Sequence, residues 1–546
     1  MPKIKSPVTR RSFLRTTLAA AAGAASLQVK GASLPIAGVS FTPPQTAKYT
    51  RYNVLSQGGQ KAINSYNIAI QAMLKLPATH PQNWFRNTFI HLMDCPHGNW
   101  WFYVWHRGYL GYFEETIRNL SGDSTFAMPY WDWTTLPEIP PVMFDSVLTP
   151  AAAAFERYTK NLDVFTSFIK TPLTSYWNSL NSAQRNQLNI RGYTTFDLLW
   201  NDVTGNGVSG NIGYATTCAS RYLSRDNPKL DQDTAYDCSP YIIESGLKPT
   251  DFYNPSVSLS FASAKTPSHN TAPSQGSFSV LEGMPHNNVH NYIGGVGPLD
   301  PGPYGNMTNF LSPIDPIFFL HHSNMDRLWD VWTRKQQQLG LPILPSGQDL
   351  QTLSNEPLLF YVNGNGQFVG NSQAGQYLST SRFDYQYEPG FPNNLLQQTS
   401  GTSQKRLRTQ VRGTVRGNRA TLAIPSAAVR EHLAAPAATL VAEVTVPHPG
   451  PTMSTREFHV LVGAPTDLAD AGPSSPYFAG TVAFFGNMTH LHGTMGDSTF
   501  AVPLPKAAQA FQGLTATNAT VNIRIVPAQG HTEAPPLLKS VTVRSL

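Results

Sequence analysis

Cysteine is scarce in this chain, with three among 546 residues. A fold held together by a disulfide framework is thereby excluded. Cys218 and Cys238 lie in a polar, turn-rich stretch and could pair, which leaves Cys95 over, two residues before His97. Charge is sparse as well. Charged residues make up 13% against 41% hydrophobic, the balance of a globular chain rather than a disordered one. The net charge of +6 is carried by six basic residues among the first thirty (Lys3, Lys5, Arg10, Arg11, Arg15 and Lys30), where no acid occurs. The remainder is neutral, so nucleic-acid binding has no electrostatic footprint. No run reaches the ~20 apolar residues that a bilayer span needs, so no membrane anchor is expected.

The basic start has a pattern of its own. Thr9-Arg10-Arg11-Ser12-Phe13-Leu14-Arg15 precedes an Ala-rich apolar stretch from Thr16 to Leu27. This resembles a twin-arginine signal, which exports proteins already folded. The expectation is a signal over residues 1–35 and a protein delivered to the periplasm or outside the cell.

The length suggests two to four domains. Ala62, Ile63, Tyr66, Ala69, Ile70, Met73 and Leu74 recur at three- and four-residue spacing, which predicts an amphipathic helix from Gly59 to Leu76. Further helices are expected over Trp100–Leu120 and 173–190, with long loops over 201–280. A short helix should begin at Pro285, since proline suits a first helical position, and run to Ile293. Another should run from near Pro316 to about Gln338 with Asp315 as its cap. Beyond about residue 390, short Val- and Phe-rich runs alternate with Pro, Gly and Asn (437–446, 457–462, 480–485, 521–526 and 541–543), the pattern of a β-sandwich. The expected class is therefore multi-domain. A mainly α catalytic domain with long loops (36–392) precedes a basic linker (393–420) and an all-β sandwich (421–546). The linker holds Lys405, Arg406, Arg408, Arg412, Arg416 and Arg419 with no acid from 401 to 419, and reads as a solvated strand edge or as a protease-sensitive processing site.

Histidine is where the chemistry concentrates. Of fifteen histidines, nine precede residue 400, and His91, His97, His106, His286, His290 and His322 sit in helix-like aromatic surroundings. His286 and His290, four apart, share a helix face and can bind one metal. Two sets of three suggest two metals, each held by three neutral nitrogens with open positions. A carboxylate di-iron site would need Glu-x-x-His pairs, which are absent. Imidazole alone suits copper or zinc, although zinc more often recruits a cysteine or carboxylate. Spacing leaves both metals open.

The motifs go further. H-x3-C-P-H-x8-H-R from His91, E-G-M-P-H-N-x2-H from Glu282 and N-F-L-S-P-I-D-P-I-F-F-L-H-H-S-N-M-D-R-L-W from Asn309 resemble the two copper-binding regions of the tyrosinase, catechol oxidase and haemocyanin family, over roughly residues 50–390. The resemblance implies a four-helix-bundle dicopper domain with O2 as co-substrate. It assigns His91, His97 and His106 to copper A and His286, His290 and His322 to copper B. His322 is preferred to its neighbour His321 because the family ligand stands four residues before the aspartate, here Asp326. The resemblance further implies a thioether from Cys95 to His97, and an aromatic gate, Phe310, above copper B. It implies a pair, Glu282 and Asn287, that orients a water able to deprotonate phenols. Asp326 would orient His322, and His321 would stand near the substrate opening.

L-F-Y-V-N-G-N-G-Q-F-V at 359–369 and the Tyr385-x-Tyr387 pair are similar to the end of the plant catalytic domain, and Glu457-Phe458-His459-Val460 stands where plant members carry K-F-D-V. In such proteins the C-terminal domain covers the site and keeps it latent; Phe484, Phe485 and Leu461 are the candidate plugs. His490 and His492, in T-H-L-H, are expected to be structural rather than metal ligands. The implied activity is oxidation of monophenols and o-diphenols to o-quinones. The alternatives are a catechol oxidase or o-aminophenol oxidase without monophenolase activity, and a haemocyanin-like O2 carrier. The implied partners are small phenolic substrates, a copper-delivery chaperone, an activating protease and a second copy of the chain.

Overall fold

The computed structural model describes residues 47–204, 221–271, 276–295, 305–397, 409–448, 456–468, 471–486, 496–528 and 537–546. The expected signal, Cys218 with its pairing to Cys238, and the T-H-L-H histidines His490 and His492 lie outside the described residues.

Helix α1 (Gln57–Lys75) buries the expected stripe of Ala62, Ile63, Tyr66, Ala69, Ile70 and Met73, and Ser56 caps it by accepting the Gly59 N–H. Helix α2 (Trp84–Asp94) is buried on every side, its polar residues Arg86, Asn87, Thr88, His91 and Asp94 included; its cap is Asn83, which accepts from Phe85 and Arg86. Helix α3 (Phe102–Ser121) stops at Gly122, whose φ of 75° is the left-handed turn that favours glycine. The stretch expected to be one helix over 173–190 is two, Leu162–Ser179 and Ser182–Arg191, because Asn181 and Gln184 form a capping box that restarts the chain. Within the loop-rich 221–271, helix α4 (Gln232–Asp237) is short.

The expected start at Pro285 is corrected by the structure. Glu282–His286 is wound as a wide π turn with Pro285 inside it, and helix α5 (Asn287–Gly294) follows. Proline has no N–H, so the ordinary ladder fails there, and the Asn287 N–H reaches back five residues to the Glu282 carbonyl. Helix α6 (Ile317–Gln338) begins as expected beside Asp315, whose carboxylate accepts the Ile317 N–H at 3.1 Å and binds Arg221 at 2.6 Å.

Asp326, on α6, does not serve His322. Strand β1 (Tyr49–Arg51) brings Arg51 to its Oδ2 at 2.9 Å, and α3 brings Arg107 to its Oδ1 at 2.7 Å. Strands β2 (Ser277–Phe278) and β3 (Tyr385–Tyr387) follow, and β3 pairs parallel with β1, placing the Tyr385 and Tyr387 hydroxyls on the same carboxylate. Burial opposes the charge on Asp326, but the two guanidiniums and the two phenols outweigh it and hold its pKa below the ordinary value. Asp326→Asn would leave two arginines buried without their charge partner. The expected loss is about 3–5 kcal/mol of stability, read by chemical denaturation.

The C-terminal region is β-rich. Its strands are β4 (Gln410–Arg412), β5 (Thr414–Arg416), β6 (Arg419–Pro425), β7 (Leu440–Pro447), β8 (Glu457–Val462), β9 (Phe478–Ala483), β10 (Asp497–Pro503), β11 (Asn518–Pro527) and β12 (Ser540–Ser545). The strands thus begin at Gln410, inside the stretch read as linker. Among the described residues they form two five-stranded sheets, ordered β2-β10-β7-β12-β4 and β5-β6-β11-β8-β9. Val444, Val460, Val482, Ile523 and Val541 from the two sheets share one apolar core, and Ile242, Phe278 and Met284 of the helical part belong to it too. The first sheet even recruits a strand from that part. β2 pairs parallel with β10, and Phe278 stacks on Phe500 with ring centroids 4.8 Å apart. The described residues form one compact unit.

Candidate metal centre

His286 of the π turn, His290 of α5 and the paired histidines of α6 converge with His91 of α2, His106 of α3 and His97 from the loop between them. His91, Cys95, His97 and His106 form one buried group whose candidate ligand atoms lie within 4.8 Å of one another; His286, His290, His321 and His322 form a second. The groups adjoin. The rings of His106 and His322 stack at 3.9 Å, and those of His97 and His286 are 5.6 Å apart.

Hydrogen bonds decide which nitrogen each ring offers. His91 Nδ1 donates to the Phe310 carbonyl (2.7 Å), His106 Nδ1 to Phe102 (2.8 Å), His290 Nδ1 to Met307 (2.9 Å) and His286 Nδ1 to Asn287 Oδ1 (2.8 Å). Carbonyl oxygens only accept, so each Nδ1 carries the proton and each Nε2 keeps a lone pair. Burial pushes His91 and His286 down to about 3 and the other rings well below their usual value, so all are neutral, the state that ligates. The Nε2 atoms of His91 and His286 are buried without a partner among the described residues. His290 Nε2 faces His322 Nε2 at 3.1 Å. The His290 lone pair points at that nitrogen, and nitrogens each ~2.0–2.1 Å from one metal lie about 3 Å apart. The donor set fits a metal.

His321 differs from the rest. It accepts the Trp133 indole N–H at Nδ1 (3.1 Å), and an indole can only donate. The proton of neutral His321 therefore sits on Nε2, which then has no lone pair to give. The second group thus offers His286, His290 and His322 as ligands, with His321 buried beside them rather than at a solvent opening.

Cys95 Sγ lies 3.8 Å from His97 Nδ1 and 3.9 Å from its Nε2, and 3.4 Å from His106 Nε2. Phe310 is not above the second group. Its ring faces His97 at 5.3 Å and His91 at 6.2 Å, because its own carbonyl is tied to His91. Glu282 joins the two halves of the centre, accepting from the Gly98 N–H at 2.6 Å and from the Ser263 hydroxyl; burial pushes its pKa up to about 8. Asn287 is bonded at both ends of its amide, its Oδ1 accepting from His286 and its Nδ2 donating to the Ala483 carbonyl at 2.7 Å.

Of the three candidate plugs, Phe485 enters the centre. Its ring lies 4.3 Å from His290, 4.9 Å from His97 and 5.5 Å from Phe310. Phe484 turns the other way, onto His448 at 4.7 Å and Phe500 at 5.1 Å, and Leu461 packs with Phe478 and Val526.

Sequence reasoning missed the support beneath the first group. Asp94, at the end of α2, accepts from Trp105 Nε1 at 2.8 Å and pairs with His269 Nε2 at 2.9 Å, while His269 Nδ1 meets Glu356 at 2.6 Å. Burial disfavours charge on His269, but Asp94 and Glu356 outweigh it and lift its pKa to about 9. A raised cation pKa contributes stability that is complete below the unfolded value of 6.5 and is lost as pH rises through about 9. That contribution is about 3 kcal/mol. The melting temperature is therefore expected to fall between pH 7 and 10 in the natural chain, and to be flatter over that range, from a lower start, in His269→Gln.

The geometry has close relatives among known proteins. Residues 69–335 match the common central domain of tyrosinase. Those residues are a tyrosinase-family domain. Polyphenol oxidase II of Ipomoea batatas is 25% identical over 344 residues, 60% of this chain and 47% of its own length. Tyrosinase HcTyr1 of Hahella sp. (strain CCB-MM4) is 26% identical over 303 residues, 55% and 48% respectively. The chain thus spans about half the length of these curated relatives. In fold it resembles latent aurone synthase (polyphenol oxidase), with a TM-score of 0.52 at 18% identity, covering 93% of this chain and 91% of that one. The family is a dicopper one, and each histidine group in this tyrosinase-family domain could hold one copper. Among the described residues no helix is long and apolar enough to cross a membrane.

Proposed function

We propose that this chain is a tyrosinase-type polyphenol oxidase, oxidising monophenols and o-diphenols to o-quinones with O2, and that its β-rich region holds it latent. The observation that carries this reading is the insertion of one aromatic ring, Phe485, between two adjoining sets of neutral, pre-oriented imidazoles. His91, His97 and His106 would hold copper A, and His286, His290 and His322 copper B. Bound copper supplies the exchange of electrons with dioxygen and phenol. The chain supplies the rest. Carbonyls fix the ring orientations, Phe310 offers an aromatic wall, and a water held by Glu282 and Asn287 would take the phenol proton, whose pKa of ~10 makes a nearby base useful. Phenylalanine in place of a phenol fills the space without a hydroxyl to react.

A thioether between Cys95 and His97 belongs to the same reading. Equal distances from Sγ to the two ring nitrogens favour attachment at the carbon between them or on the opposite edge. The domain limits 36–392 and 421–546, a processing cut in the basic stretch, export by the twin-arginine route, a copper-delivery chaperone and pairing of copies also remain part of the proposal. Turnover of L-tyrosine, L-DOPA, catechol and o-aminophenol, before and after limited proteolysis, tests it. Oxidation of tyrosine as well as catechol is expected. Oxidation of catechol alone would reduce the function to a catechol oxidase, and no turnover of any would favour an O2 carrier.

A further inference from the structure

The strand that delivers Phe485 is held by its backbone. β9 is the edge strand of its sheet, so alternate residues turn their N–H and C=O outward. Those groups meet side chains of the helical part. Asp237 accepts the Thr481 N–H at 3.2 Å, Asn288 Nδ2 donates to the Thr481 carbonyl at 3.0 Å, Asn287 Nδ2 to the Ala483 carbonyl at 2.7 Å, and Asn291 Nδ2 to the Phe484 carbonyl at 3.2 Å. The three asparagines stand on α5, the helix that also carries His290. Asn291 Oδ1 is buried and has no partner among the described residues, an acceptor left for a further N–H.

Recognition through main-chain groups is indifferent to most side chains. Two positions are exceptions. A Cβ on Gly486 would lie 2.5 Å from the Phe310 ring, and its φ of 73° favours glycine. A Cβ on Gly480 would lie 2.2 Å from Met284 Cε. The residue after the inserted ring, and the one five before it, must therefore be glycine.

We infer that, when the β-rich region is displaced, α5 and Asp237 receive an extended polypeptide in place of β9, so that the site takes a tyrosyl side chain followed by glycine in preference to a free small phenol. The inference rests on the phenol-oxidase reading and specifies its substrate class. In the reaction, one oxygen of O2 enters the ring carbon beside the tyrosyl hydroxyl and the other leaves as water. The ring loses four electrons to dioxygen and becomes the o-quinone.

The test uses the copper-loaded full chain after limited proteolysis. Acetyl-Ala-Gly-Thr-Val-Ala-Phe-Tyr-Gly-amide, which copies residues 479–486 with tyrosine in the place of Phe485, is compared with N-acetyl-tyrosinamide and with the same peptide ending in alanine. A kcat/KM for the first peptide on the order of tenfold above both others is expected from several added hydrogen bonds. Joint substitution Asn288→Ala and Asn291→Ala should lower the peptide-to-amide ratio by about the same factor. A second readout needs no turnover. A fluorescent version of the peptide with phenylalanine restored should bind the cut, copper-free chain, and more weakly the doubly substituted one. Equal kcat/KM for peptide and amide, or absence of binding, in a protein that oxidises catechol would overturn this inference alone. Failure to oxidise catechol, amide or peptide would overturn the phenol-oxidase reading with it.

Discussion

His322→Gln is expected to remove one of two copper ions from the isolated chain and to abolish catechol oxidation, whereas His321→Gln should retain both ions. The two residues are adjacent, equally buried and both in the second histidine group, so burial does not separate them. Their protons do. Trp133 donates to His321 Nδ1, which commits His321 Nε2 to a proton, while no donor among the described residues occupies His322 Nδ1, so that nitrogen is free to carry the proton and leave Nε2, 3.1 Å from His290 Nε2, to a metal. Glutamine keeps volume and hydrogen-bonding capacity in both variants but is a poor copper ligand. Copper per chain, measured by elemental analysis on folded protein, gives the answer. Loss of copper in His321→Gln equal to that in His322→Gln would contradict the assignment.

Phe485→Ala should raise catechol oxidation by the uncut chain at least tenfold. The ring occupies the space between His97, His290 and Phe310, where a substrate ring would have to lie. Truncation empties that space, and the three asparagine contacts of β9 leave the rest of the β-rich region in place. The variant should also lose about 3–5 kcal/mol of stability, the usual effect of deleting a buried aromatic ring. Phe484→Ala controls for this loss. Its ring packs on Phe500 within the β core, so that variant should be destabilised without a comparable gain in rate. Equal activation by both would mean that loosening, rather than unplugging, opens the site.

What the sequence made legible follows from the range of the interactions. The histidine sets could be read because ligand spacing on a helix is local: His286 and His290 are four apart, and the D-P-x-F-x3-H-x3-D run is continuous. The role of Asp326 could not, since its partners Arg51, Arg107, Tyr385 and Tyr387 lie from 59 to 275 residues away. The buried helix α2 escaped for another reason: its polar residues Arg86, Asn87, Thr88, His91 and Asp94 are buried along with its apolar ones, so no exposed face marks it. Phe310 was expected against the wrong histidine group because its ring follows a backbone bond to His91, which no side-chain motif records. Five of the nine described C-terminal strands were visible as Val- and Phe-rich runs, but β4, β5, β6 and β10 were not singled out. Which of Phe484 and Phe485 enters the centre depends on how Asn287, Asn288 and Asn291 grip the edge of β9. In the sequence Asn288 and Asn291 look like bystanders beside His290, and Asn287 reads only as the partner of Glu282.

Oxygen uptake by the full chain with 4-methylcatechol tests the central claim most directly. It should be measured on copper-free protein, then after loading two copper ions per chain, and again after limited proteolysis. No uptake is expected without copper, slow uptake in the loaded uncut chain, and a rise of at least tenfold on cutting, with quinone formed in step. Copper bound at two ions per chain with no oxygen uptake before or after cutting would contradict it.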